Sequence, residues 1–314
     1  MKTWKKIIQV KEAPIFLVLV CGCIVVGLLT PYFFSVSNIF NVLRQISIYA
    51  ILAVGEALII ITGEIDLSIG YMMGLCGVIA ALCAKAGIPP VLIFLITVAF
   101  GVCMSSISGV LVTRFGINSF IATLGLQNIC RGISLLLTGG ISIMVKNPIT
   151  VLGSGYFGPM PLCSVIMFFV IAIFAFFVRY TQLGRNIFAV GSNFTAARFS
   201  GVNSNAIKRA VFAISGALVG LSGVISYGTL KAADPTAGAG FELDAVAAVV
   251  IGGTSMAGGE GTIIGVLIGA AIMGVLKNAF VLLHISAYWQ VVVLGIVIIA
   301  AVFIDSVKRL RADK

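Results

Sequence analysis

The chain has 314 residues, 60% of them hydrophobic and only 10% charged, with 36 glycines and a net charge of +10. That composition excludes a soluble globular domain and predicts an integral membrane protein. The positive charge is a sign of membrane topology, not a nucleic-acid footprint, because the basic residues collect beside apolar runs instead of forming one patch.

In chain order, runs fit to cross a hydrocarbon layer of about 30 Å, which takes roughly 20 helical residues, fall near 15–29, 45–62, 67–84, 91–112, 119–138, 162–178, 210–230, 262–283 and 288–304. A weaker run at 244–252 covers less than half the layer unless the glycine-rich loop after it carries the chain onward. The expectation is ten crossings with the eighth broken, in one membrane domain spanning 1–314. With the N-terminus inside, the inner segments, among them 1–14, 179–209 and 305–314, hold Lys2, Lys5, Lys6, Lys11, Arg114, Arg179, Arg185, Arg198, Lys208, Arg209, Lys308, Arg309, Arg311 and Lys314. The outer segments hold Lys85, Lys146 and Lys231. Fourteen against three predicts both termini in the cytoplasm. No A-x-A cleavage site follows Thr30, so the first run is expected to stay as a span.

Seven cysteines, at 21, 23, 76, 83, 103, 130 and 163, lie in or beside apolar runs, where cysteine acts as a small hydrophobe, and no disulfide framework is expected. His284 is the one histidine, so no metal site is expected either. Glycines four apart, as in Gly70/Gly74, Gly216/Gly220 and Gly265/Gly269, predict close helix packing in lipid. Ile59–Leu82 and Val249–Leu276 echo one another. Each is an apolar run that stops at glycine, a short acidic, hydroxyl-bearing loop (GEIDLS and GGTSMAGGEGT), and a small-residue helix. Interrupted helices in matching positions of an internal repeat tend to border the transport pathway. In the first loop Asp66 stands where the third span needs an N-cap. Glu64 is not needed there, which leaves it for a salt bridge to an inner arginine such as Arg114, or for a gate.

No G-x-x-x-x-G-K-[ST] occurs, since the cluster Gly258-Gly259-Glu260-Gly261-Thr262 lacks the lysine, and the chain is not expected to bind ATP through a P-loop. H-E-x-x-H and G-x-S-x-G are missing too, which argues against an intramembrane hydrolase. Within the spans the ionisable residues are Glu56, Arg131 and Lys277, with Asp244 at an edge, too scattered for obvious ion coupling. The inner segment 179–209 carries five basic residues and no acid. In it Asn193 can cap a short helix Phe194–Ser200, and Gly201 can close it. Phe194, Ala197 and Phe199 make that helix partly apolar, which suits either docking into a groove on a soluble partner or resting on lipid headgroups. A permease that depends on partners and a stand-alone secondary carrier or channel both fit these residues.

GEIDLSIG at 63–70, NSFIATLG at 118–125, GR at 184–185 with AVGSN at 189–193, AARFSGV at 196–202, and FELDAVAAVVIGGTS at 241–255 through GGEG at 258–261 resemble the ribose/xylose/arabinose/galactose permease family of bacterial ABC importers, from about Pro31 to Asp305. The resemblance implies an all-α polytopic fold of the type II ABC importer kind, a second copy of the chain, a cytoplasmic ATPase subunit that binds ATP and Mg, and an extracytoplasmic sugar-binding protein. It implies no cofactor in this chain and a bacterial cytoplasmic membrane. Ribose-like pentoses lead as substrates; hexoses, nucleosides and related furanoses remain. By the same resemblance Asn193, Thr195, Ala196, Ala197, Arg198 and Gly201 would form the ATPase-coupling segment. Glu64, Asp66, Ser68, Asn118, Ser119, Phe120, Thr254 and Ser255 would border the pathway or its gate, and Asp234, Pro235 and Thr236 would face the binding protein. Two positions depart from the family pattern: Thr195, where many relatives have Glu, and Glu64, where many have Gly.

Overall fold

The computed structural model describes residues 12–312. Lys2, Lys5, Lys6 and Lys11 of the predicted inner N-terminal segment, and Lys314 of the tail, lie outside the described residues. The chain is built from helices α1 (Ala13–Leu29), α2 (Val36–Ile61), α3 (Ile69–Lys85), α4 (Pro90–Phe115), α5 (Ser119–Thr138), α6 (Leu162–Tyr180), α7 (Gln182–Ser192), α8 (Phe194–Phe199), α9 (Ser204–Leu230), α10 (Phe241–Ile251), α11 (Ile263–Leu282) and α12 (Ala287–Ala312). Between α5 and α6 lie a short turn, Pro148–Thr150, a one-turn helix, Val151–Ser154, and a hairpin of two-residue strands, Tyr156–Phe157 and Met160–Pro161.

Helices α2, α4, α5, α6, α9 and α11 are long and apolar enough to cross a membrane, and α1, α3 and part of α12 are shorter apolar helices. The protein is an all-α polytopic membrane protein, and its helices cover the predicted apolar runs, with α2 and α9 starting earlier than the runs at 45–62 and 210–230. Cap chemistry sets many of the boundaries. Ser35, Asn118, Thr181, Asn203 and Thr262 each accept a backbone N–H in the first turn of α2, α5, α7, α9 and α11, at 3.0–3.3 Å.

From Ile46 to Ile61 every residue of α2 is buried, which makes its second half the axis of the bundle. Helix α9 lies beside it and packs along α4. Small residues set that approach: a methyl on Gly101 of α4 would fall 3.0 Å from the Gly220 backbone nitrogen and closer still to the Gly216 carbonyl. In lipid, where apolar burial gives helices little reason to associate, this backbone contact supplies the packing. By contrast α6 presents Phe169, Ile173 and Phe176 outward, as a helix facing hydrocarbon does.

Helix α10 has only 11 residues, with non-helical stretches both before and after it. Pro235–Gly238 reaches into the bundle against α3, so that the Gly238 nitrogen lies 3.4 Å from where a Gly74 side chain would begin, and Gly238 also meets Gly70. The glycine-rich loop 252–262 takes a different role, described next.

Candidate functional site

Two glycine-rich loops meet at one end of the bundle. Helix α2 stops in a Schellman motif: Gly63 takes φ +81°, its N–H reaches the Ile60 carbonyl at 2.9 Å, and the Glu64 N–H reaches the Ile59 carbonyl at 3.2 Å. Helix α10 stops in the same way, with Gly253 at φ +86°, its N–H on Val250 at 2.9 Å and the Thr254 N–H on Val249 at 3.2 Å. The loops then join directly, since the Gly259 N–H donates to the Ile61 carbonyl at 2.9 Å.

Helix α7 ends against both loops. A methyl on Gly191 would collide with the Ile61 carbonyl and stand 2.6 Å from the Gly259 nitrogen. One on Gly259 would meet Ser192 Oγ at 2.6 Å and its Cα at 2.8 Å. Four glycines, at 63, 191, 258 and 259, therefore allow three backbones to converge on one carbonyl. The next residue, Asn193, begins α8: its side chain accepts the Ala196 N–H at 2.8 Å, and Gly201 closes the helix at φ +84°. The helix runs Phe194–Phe199 with Ser200 as its C-cap, one residue shorter than predicted.

On α8, Thr195, Ala196, Arg198 and Phe199 are exposed, and Phe199 is 88% exposed. Ala197 is buried within the chain's own core at 5% exposure. A six-residue helix has one inward face, and Ala197 occupies it, so a partner would meet Phe199 and Thr195 instead.

Glu64 pairs with Lys208 of α9, not with Arg114, which is exposed in the last turn of α4. Both members of the pair are largely buried. Lys208 Nζ also lies 4.9 Å from the Phe194 ring centroid, so one side chain touches the α2–α3 loop and the first residue of α8. Lys208 is 144 residues from Glu64, and no local signal in the sequence joins them.

The remaining loop residues are fixed by side chains that accept backbone N–H groups. Ile65 donates to Ser119 Oγ at 3.3 Å, Asp66 to Glu56 Oε1 at 3.1 Å and Leu67 to Thr123 Oγ1 at 3.1 Å. Asp66 does not cap α3, because its carboxylate accepts the Ser68 N–H at 2.8 Å and the Ser68 hydroxyl, and Ser68 is itself the N-cap position, with no side-chain cap bond. Of the residues assigned to a pathway or gate, Asp66 and Ser68 are fully buried, and Ser119 and Thr254 nearly so. Asn118 and Phe120 are exposed at the start of α5, and Ser255 is half-buried, with its N–H on the Glu260 carbonyl at 3.1 Å.

At the far end of the bundle Asp234 closes a turn. Its carboxylate accepts the Thr236 N–H and hydroxyl, each at 2.7 Å, and the Ser142 hydroxyl at 3.2 Å. The Thr236 bonds hold its carboxyl below the usual range. Thr236 is exposed, Asp234 half-buried and Pro235 buried. Of the ionisable residues inside the helices, Lys277 pairs with Asp244 and Tyr49, Glu242 accepts from Gln127 at 3.0 Å, and Arg131 lies over the Tyr71 ring at 5.6 Å, whereas Glu56 and Glu242 each keep one buried carboxylate oxygen without a partner among the described residues.

Residues 38–302 match the family model described as branched-chain amino acid transport system / permease component. The chain is 42% identical to the ribose import permease protein of Haemophilus influenzae, over 93% of this chain and 92% of that one. It is 39% identical to the ribose import permease protein of Bacillus subtilis (93% and 92% covered) and 37% identical to the D-allose transport system permease protein of Escherichia coli (92% and 90%). No solved structure matches. A match through nearly every helix described above, with relatives this close over nine-tenths or more of their lengths, places the chain in the branched-chain amino acid transport system / permease component family.

Proposed function

We propose that the chain is the membrane subunit of an ATP-driven importer for ribose or a similar sugar in the bacterial cytoplasmic membrane, working as two copies with a cytoplasmic ATPase subunit and an extracytoplasmic sugar-binding protein. The names of its relatives support the substrate and the importer class. The observation that carries the mechanism is the seat of α7. An exposed, capped helix follows directly on Gly191 and Ser192, which press on both glycine-rich loops, so a push on α8 from a partner has a continuous path of backbone to the ends of α2 and α10. On this reading Asn193, Thr195, Ala196, Arg198 and Gly201 shape or present the coupling segment, and Lys208 ties it to Glu64. Ala197 anchors it.

The finer topology follows the charge distribution: ten crossings with both termini inside, a type II importer architecture, an internal repeat centred on the two loops, and Thr236 beside Asp234 facing the binding protein. The loop end of α2 is then the inner end of the bundle and the Asp234 turn lies outside. The test is reconstitution with the ATPase subunit and the binding protein. Ribose should enter vesicles only with ATP, and entry at the same rate without ATP or partner would contradict the proposal.

A further inference from the structure

At the end of the bundle opposite the glycine loops, a cavity of about 420 Å³ opens between α2, α11, the end of α9 and the first residue of α10. That volume falls in the range of roughly 300–1,000 Å³ typical of small-molecule sites. Its wall on α2 carries Asn41 and Gln45, four residues apart and so on one face, both exposed. Neither amide makes a hydrogen bond within the described residues. Between them Arg44 gives one N–H to the Tyr156 hydroxyl at 2.8 Å and keeps Nε buried without a partner. Tyr49 and Phe241 form an apolar side, with ring centroids 4.9 Å apart and planes inclined by 32°. The wall is stiffened where Asn38 and Asn278 exchange bonds of 3.0 and 2.8 Å.

Two free amides in the outer half of an apolar helix are costly against hydrocarbon. They belong beside water or a polar ligand. An amide both donates and accepts, as each sugar hydroxyl does, and the C–H face of a sugar ring can lie on an aromatic one. No carboxylate lines the cavity, so nothing in it selects a cation. We infer that this cavity is an outer subsite for a neutral monosaccharide, in which Asn41 and Gln45 bond the hydroxyls and Phe241, packed on Tyr49, receives the ring face. The inference rests on the importer reading above and assigns residues to a step between delivery by the binding protein and passage inward.

The experiment uses the reconstituted transporter with its ATPase and binding protein. Asn41→Ala/Gln45→Ala should lower maximal ribose uptake about tenfold, the loss of two modest hydrogen bonds, and change the ratio of ribose to allose uptake. Basal ATPase activity, and the half-saturating sugar concentration set by the binding protein, should not move. In a second variant, Gln45→Cys, an impermeant thiol reagent added outside should modify the new cysteine, and millimolar ribose should slow that reaction whereas ribose 5-phosphate should not. If the double variant transports at the parent rate with the parent sugar ratio, or if ribose gives no protection while the parent protein imports it, the subsite is overturned and the importer reading stands. Absence of ATP-driven ribose uptake by the parent protein would instead remove the reading on which the subsite rests.

Discussion

At the glycine junction backbone meets backbone: the Gly259 N–H reaches the Ile61 carbonyl, and Gly191 leaves no room for a methyl. At the opposite end of α2, side-chain amides on Asn41 and Gln45 stand in a cavity with no partner among the described residues. The same helix supplies both regions, and the difference lies in what each is built from. Backbone contacts through glycine are short and stiff, so a displacement at one strand of the junction moves the others. A cavity lined by unpaired amides can instead exchange one set of hydroxyls for another without rearranging the fold. One end of α2 suits transmission of movement, and the other suits reversible contact with a solute.

The contrast is broken most severely by filling the junction. Gly191→Val places two methyls where the Ile61 carbonyl and Gly259 already stand, an overpacking that costs about 1–3 kcal/mol or more because backbone atoms cannot step aside. Sugar uptake should fall more than about tenfold, measured beside Gly132→Val, where nothing lies within 4 Å of the new Cβ and uptake should persist. Equal activity of the two variants would mean that the junction is not tight.

The next largest effect separates the two sides of α8. Phe199→Glu should weaken co-purification of the ATPase subunit about tenfold, as loss of an aromatic interface anchor does, while leaving the chain folded because Phe199 is 88% exposed. Ala197→Glu should instead reduce the amount of folded chain, since it buries a charge without a partner. Retention of the ATPase by the Phe199 variant would shift docking elsewhere on the surface.

The smallest effect belongs to the Asp234 turn. Because the Thr236 bonds depress the Asp234 pKa, their stabilisation is complete above the ordinary carboxylate range, near about 4, and is lost as pH falls through the lowered folded value. Protease resistance of loop 231–240 should therefore be flat from pH 7 to about pH 5 and fall below about pH 4, and Asp234→Asn should flatten that profile. Resistance that already falls between pH 7 and 6 would point to another group.

What the sequence disclosed follows the range of the interactions. The Asn193 cap, the Gly201 stop and the halt of α2 at Gly63 were readable because cap and Schellman geometry depend on residues within one turn. The close contact of Gly216 and Gly220 was readable from spacing alone. The direction of Ala197 was not, because a single helical turn gives too few positions to reveal its apolar face. Nor was the partner of Glu64: several cations lie in the inner segments, and only the folded path of α9 brings Lys208 to the loop. The start of α10 is not legible in the sequence because Phe241–Leu243 read as part of a polar outer loop, whereas the packing of Gly238 against Gly70 and Gly74 of α3 draws that stretch into the bundle. Asn41 and Gln45 attracted no notice, since two amides in an apolar helix form no motif.

The claim that movement passes from α8 to the loops, with Lys208 tying α8 to Glu64, is tested most directly by exchanging the charges of that pair. Removing one member of a largely buried pair costs about 3–5 kcal/mol, mostly by stranding the other charge. ATP hydrolysis and sugar uptake should be measured together in vesicles for Lys208→Glu, Glu64→Lys and the double variant. The prediction is that each single variant still binds the ATPase subunit and hydrolyses ATP, loses uptake at least about tenfold, and is rescued when the two substitutions are combined. Parent-level uptake in either single variant, or a double variant no better than the singles, would contradict the account.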